Sequence, residues 1–308
     1  MRLSVPLGVV LLIACACGSS GDAERSSTSA ASSAPSATRS PAAREGSGAV
    51  PVPWLKVVPS DEGRINTELY LALGDSLSAG VGATVYTEQG FVPLIHEALG
   101  PEFALLNLGI AGDTSTQMIR EGTLDRAIAE IRQRNGDDEA GNDVEVVTLE
   151  IGGNDLLDIF FDLVLPGRCP NVTQGLERPE CVNALRNALD AYEPNLDLII
   201  DRLHEADPDL NIFLMTLYNP FSAGTAEHDE LAELALEGAP GTPFLEGLQD
   251  IIRRQAEAND VHLVEVYPLF AGKAKELIAG DKVHPNDAGY RVMADAVLAE
   301  MREAGIIE

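Results

Sequence analysis

Five apolar runs of strand length alternate with five stretches of helical periodicity after residue 68, and this alternation limits the possible folds more than any other feature. The runs are Leu69–Leu73, Ala104–Leu108, Val144–Ile151, Asn211–Leu217 and Val261–Val266. The helical stretches are Phe91–Leu99, Thr114–Arg134, Asn183–Glu205, Pro243–Asn259 and Asn286–Ala304. Continuously apolar strands are buried on both faces, and strands separated by helices pair in parallel. The expected fold is therefore α/β: a three-layer α/β/α sandwich around a parallel five-stranded sheet, in the flavodoxin-like order 2-1-3-4-5. No internal repeat is visible.

The residues before this alternation differ in character. Arg2 precedes an apolar run, Val5–Ala14, which is too short to span a bilayer and has the length of a signal-peptide core. Leu12-Ile13-Ala14-Cys15 resembles the bacterial lipoprotein signal, in which the cysteine becomes the lipidated N-terminus. Cys17 fits that signal less well, because Ala14 stands where leucine is usual; a plain secretory signal is the alternative reading. From Gly18 the chain is mostly Ser, Ala, Thr, Gly and Pro, with little to bury, and reads as a flexible tether. The expected organisation is a signal and lipidation segment over 1–17, a tether over 18–51 and one domain over 52–308. The product is expected outside the cytoplasm, as a cell-envelope lipoprotein or a secreted protein.

A formal net charge of −28 opposes binding to nucleic acid and to anionic lipid. Membrane contact is accordingly expected only through a lipid on Cys15. In the domain two cysteines remain, Cys169 and Cys181. Export permits a disulfide, and the intervening Pro170, Gly175 and Pro179 suit a closed loop, worth roughly 3 kcal/mol through chain entropy. Free thiols or half of a metal site are the alternatives, but no histidine is near and the spacing fits no zinc pattern. Asp137-Asp138-Glu139, with Asn142 and Asp143, lacks the spacing of a calcium loop and reads as a solvated turn.

Four short segments fall at strand ends or before the last helix. They are Gly74-Asp75-Ser76-Leu77-Ser78, the stretch Asn107–Ser115 containing Gly109 and Gly112, Ile151-Gly152-Gly153-Asn154-Asp155, and Asp281-Lys282-Val283-His284-Pro285. The carboxyl edge of a parallel sheet is where ligands bind, because loops and helix N-termini present free N–H groups there. A serine hydroxyl is a weak nucleophile until an adjacent base takes its proton. His284 can be that base for Ser76, and Asp281 can hold the imidazole in one tautomer. Pro285 keeps His284 extended and reads as a helix start. Acyl transfer also needs donors for an oxyanion; the N–H groups of Ser76 and Gly112 and the side-chain amide of Asn154 can supply them. Asp75 reads as a brace for the serine turn. Each residue has a plainer reading too: a simple turn, a helix cap at Asn154, a surface histidine at 284. His96, His204 and His262 read as structural or solvated, and His228 as a residue that could approach the site.

Taken together and in this order, the segments resemble those of the SGNH/GDSL hydrolase family over about Leu69–Met301. The resemblance implies the fold above and a serine ester hydrolase that works through an acyl-enzyme, without metal or organic cofactor. It also implies roles for the matching residues: Ser76, Asp281 and His284 catalytic, with Ser76, Gly112 and Asn154 forming the oxyanion hole. Gly-Asp-Ser-Leu-Ser and Gly-Asp-Thr-Ser look most like the esterase, lysophospholipase and thioesterase branch. A small-molecule or lipid ester is then the expected partner, and a monomer the expected state. Two long excursions, Leu156–Pro208 and Tyr218–Thr242, begin near the same edge and are expected to wall an acyl-binding groove; extra core cover is the alternative. Two rivals stand beside the acyl esterase. One is an O-acetylesterase acting on carbohydrate or peptidoglycan, disfavoured by an aromatic content of only 5%. The other is a non-catalytic substrate-binding lipoprotein, for which two similar lobes are expected.

Overall fold

The computed structural model describes residues 67–136, 141–222 and 224–308. Cys15, Cys17, the tether and the acidic run Asp137-Asp138-Glu139 lie outside the described residues.

The five strands are β1 (Glu68–Gly74), β2 (Phe103–Asn107), β3 (Val144–Glu150), β4 (Asn211–Met215) and β5 (His262–Val264). They form one sheet in the order β2-β1-β3-β4-β5, with every pairing parallel. The apolar β1 is an inner strand, its Leu71 in register with Leu106 on one side and Val147 on the other. Side chains alternate across a strand, so Leu69, Leu71 and Leu73 enter one core with the helices over Thr123–Arg134, Pro179–His204 and Leu248–Ala258. Tyr70 and Ala72 enter the other, with the helices over Phe91–Leu99 and Asp287–Glu303. Each fully buried Leu, Ile, Val or Phe contributes about 1.5–3 kcal/mol, which is why the continuously apolar strands settle between two helical layers.

The elements differ from the sequence expectation mainly at their ends. The helix expected over Thr114–Arg134 is two helices, Ser115–Arg120 and Thr123–Arg134. Gly122 between them is left-handed, with φ +95°. β4 and β5 are shorter than their apolar runs, because the Thr216 hydroxyl accepts the N–H groups of Val266 and Tyr267 and draws both strand ends out of the ladder. The helix expected from Pro243 starts at Leu248, where the Gly247 N–H donates to Asp250. Cys169 and Cys181 are joined as a disulfide. Cys181, expected in a loop, lies in the first turn of the long helix, which Pro179 opens. Among the described residues no helix is long and apolar enough to cross a membrane.

Candidate active site

Ser76 stands two residues beyond β1 in a tight turn, where the Val81 N–H donates to its carbonyl and the Ala79 N–H to that of Asp75. Gly74 makes the turn feasible: a Cβ there would lie 2.4 Å from the Glu150 carbonyl oxygen. Asp75 is buried and braces the turn as expected, its Oδ1 accepting the Leu77 N–H at 2.9 Å. Ser78 gives its hydroxyl to the Leu73 carbonyl and is structural.

His284 comes from the other end of the domain. The Asp281 carboxylate accepts the N–H groups of Val283 and His284, both at 3.0 Å, and its Oδ2 lies 2.7 Å from His284 Nδ1. Burial alone would raise the Asp281 carboxyl; those two N–H groups and the imidazole outweigh it and hold the carboxyl below its usual value. Lys282, left-handed at φ +64°, bends the chain so that one carboxylate reaches all three partners. The turn is tied down by Tyr218, whose hydroxyl donates to the Val283 carbonyl, and by Asn286, which caps the last helix. The serine segment packs directly on it: a Cβ at Gly82 would stand 2.8 Å from His284 Cβ. His284 Nε2 is thereby set 2.9 Å from Ser76 Oγ.

Asn154 lies inside the helix Gly153–Ile159 and its side chain makes no cap, so the helix-cap reading falls. Its Nδ2 donates to Asp75 Oδ2 and to the Asp113 carbonyl, each at 2.9 Å. Gly112 occupies an exposed turn with φ +90°, where an added Cβ would meet nothing within 4 Å. The two loops are joined by Asp155, whose carboxylate accepts the N–H and hydroxyl of Ser115. Asp113 is buried with its Oδ2 unpartnered; burial first, then the charges of Glu121 and Asp75, push it up to about 6.

Ser76, Asn154 and His284 line a cavity of about 160 Å³. Its walls come from both excursions: Leu156, Phe160 and Val164 from the first, Phe221, Leu231 and Ala235 from the second. Phe160 stacks on Phe221 at 4.3 Å between ring centres, and the disulfide forms part of the lining. His228 packs edge-on against Phe160 and lines no part of the cavity, so it does not approach the site. His96 Nε2 meets the Phe103 carbonyl and His262 stacks on Phe213, as structural residues do. Among the described residues no group of three or more His, Cys, Asp or Glu could hold a metal ion.

The sequence reading missed Glu150, the last residue of β3, which is fully buried with no donor at hydrogen-bond geometry on either oxygen. The signal was present but shared: the run read as apolar holds two acids, Glu145 and Glu150, and only Glu150 is fully buried.

Known proteins resemble this chain in sequence and fold. The spore germination lipase LipC of Bacillus licheniformis is 26% identical over 236 residues, covering 75% of this chain and 94% of its own. The YpmR protein of Bacillus subtilis is 21% identical over 235 residues, covering 76% of this chain and 82% of its own. The crystal structure of the lipase Lip_vut3 from a goat rumen metagenome shares the fold with a TM-score of 0.54 at 21% identity, covering 76% of this chain and 97% of that one. The profile of the GDSL-like Lipase/Acylhydrolase family matches residues 72–292, well over half of the chain, and the protein belongs to that family of carboxylic ester hydrolases.

Proposed function

We propose that this protein is an exported serine esterase for acyl esters, with Ser76 as nucleophile, His284 as general base and Asp281 as the group that orients the imidazole. The observation that carries the reading is the 2.9 Å separation of His284 Nε2 and Ser76 Oγ, with Asp281 on the opposite ring nitrogen. Ser76 Oγ attacks the ester carbonyl while its proton passes to Nε2. The oxyanion takes hydrogen bonds from the N–H groups of Ser76 and Gly112 and from Asn154. Asn154 reaches it by sharing an N–H now given to Asp75 or to the Asp113 carbonyl. Such contacts tighten when substrate arrives. The imidazolium then protonates the departing alkoxide, leaving an acyl group on Ser76. Water adds to the acyl carbonyl as its proton passes to His284, and the imidazolium returns that proton to Ser76 Oγ as the free acid leaves.

The apolar walls around Ser76 favour an acyl chain over a sugar, since Leu156, Phe160 and Val164 offer a saccharide no hydrogen bonds. The single five-stranded sheet gives no support to a two-lobed binding protein. Export, with Cys15 as a lipid anchor and the tether as spacer, rests on the N-terminal sequence alone. A chain-length series of p-nitrophenyl esters run beside acetylated xylan tests the function. Rates that rise with acyl length support it; turnover of acetylated xylan with none of the longer esters overturns it.

A further inference from the structure

Glu150 lies under the nucleophile turn: it ends β3 and is in register with Gly74, the residue before Asp75. Along β3 it shares the face of Val146 and Thr148, and its side chain is wholly buried. No donor meets its oxygens at full hydrogen-bond geometry, and the polar groups that face them are the carboxyl and the backbone N–H of Asp75, the N–H acting weakly against burial and the neighbouring charge. The two acids are not equivalent. Asp75 accepts from the Leu77 N–H and the Asn154 amide, with the Ser76 hydroxyl at 3.4 Å. Donors of that kind favour a charged carboxylate, and two carboxylates sharing a dry site do not both ionise.

We propose that Glu150 is a positioning residue for catalysis: it holds a proton at neutral pH, donates it to Asp75, and so fixes the carboxylate that holds both the Ser76 turn and the Asn154 amide. Burial, then the charge of Asp75, pushes the Glu150 carboxyl well up, whereas Asp75 rises only to about 6. The other titratable groups facing the pair are His284, Asp113 and the hydroxyls of Tyr192, Tyr218 and Tyr290; burial raises all three hydroxyls, so they stay neutral. The pair thus carries one negative charge beneath the forming oxyanion. A second charge there would oppose the transition state.

This inference rests on the assignment of Ser76 and His284 above, and its test separates the two. In the infrared, wild type at about pH 8, where a carboxyl of pKa near 6 is ionised, should show a protonated carboxylic-acid band that is missing from Glu150→Gln. Recording both in a Ser76→Ala background makes this readout independent of activity. In kinetics, Glu150→Leu should lower kcat roughly 10- to 100-fold with KM little changed, the scale of a small misplacement of reacting groups. Glu150→Gln, whose amide can still donate to Asp75, should restore most of kcat. The proposal is overturned if the band is the same in wild type and Glu150→Gln, or if a folded Glu150→Leu enzyme keeps wild-type kcat. If instead Ser76→Ala still hydrolyses ester, the catalytic assignment falls while the infrared result stands. Should Glu150→Leu fail to fold, the band and the Glu150→Gln rate still decide.

Discussion

His284 Nε2 meets Ser76 Oγ at 2.9 Å across 208 residues of sequence, closer than the 3.4 Å that separates the same hydroxyl from Asp75 Oδ1 within the serine turn. Ser76→Ala should therefore abolish ester hydrolysis without changing the far-ultraviolet circular dichroism. An organophosphonate should label Ser76 alone. Ser78 is the informative control, since its hydroxyl is committed to the Leu73 carbonyl; label on Ser78 would refute the assignment.

The two partners of the imidazole should fail differently. His284→Ala should lower kcat nearly as far as Ser76→Ala, because the two act as a unit. Asp281→Asn can trap the wrong tautomer, with a loss of up to ~10⁴ in kcat. A far smaller loss in kcat would mean that Asp281 does not orient the imidazole.

Strand order and the positions of Ser76, Asp281 and His284 were legible in the sequence because each rests on a local pattern: an apolar run, a glycine stop, an Asp-x-x-His turn into a helix. What the sequence hid depends on contacts between distant segments. The break at Gly122 is a single left-handed residue inside an unbroken helical periodicity. The placing of Asn154 inside a helix, with both N–H groups on Asp75 and Asp113, is set by three loops meeting. The sequence leaves His228 free to approach the site, whereas the fold packs its ring edge-on against Phe160. The pairing of Glu150 with Asp75 follows from the register of β1 on β3, which no single segment encodes.

The cavity should set acyl preference. Each methylene moved from water into it is worth about 0.8 kcal/mol, or roughly fourfold in kcat/KM while room remains. Ala235→Phe places a ring into the wall beside Leu231, both of them cavity-lining. It should cut kcat/KM for long-chain esters while sparing acetate. Equal loss across the series would mean that the chain binds elsewhere.

The disulfide joins a loop residue to the first turn of the long helix, and both sulfurs are buried against Leu163 and Val164. Replacing both cysteines by serine should lower unfolding free energy by roughly 3 kcal/mol, the chain-entropy value for such a loop. Because the bridge also lines the cavity, long-chain esters should suffer more than acetate. Denaturant unfolding with and without reductant measures the first effect, and the ester series the second.

Stability should fall as pH rises above the ordinary carboxylate range, opposite to the usual pattern for paired acids. Asp75 and Asp113 are raised from 3.8 to about 6, and Glu150 well above 4.5, each chiefly by burial. For each, the folded pKa lies above the unfolded one. Between the two values the folded protein binds more protons than the unfolded chain, so unfolding free energy declines with pH across that window. Asp281 works the other way: its carboxyl is lowered, so its contribution is present above 3.8 and lost as pH falls through the folded value. Repulsion among the remaining carboxylates also grows with pH, but equally in any variant at one buried position. Asp75 and Asp113 complete their ionisation about one unit above pH 6, and beyond that the remaining slope from these three is that of Glu150. Glu150→Gln removes it. Urea unfolding at about pH 6 and about pH 8 should therefore show a decline in wild type that is smaller in Glu150→Gln. Identical declines would mean that Glu150 binds no more protons in the folded protein than in the unfolded one across that interval.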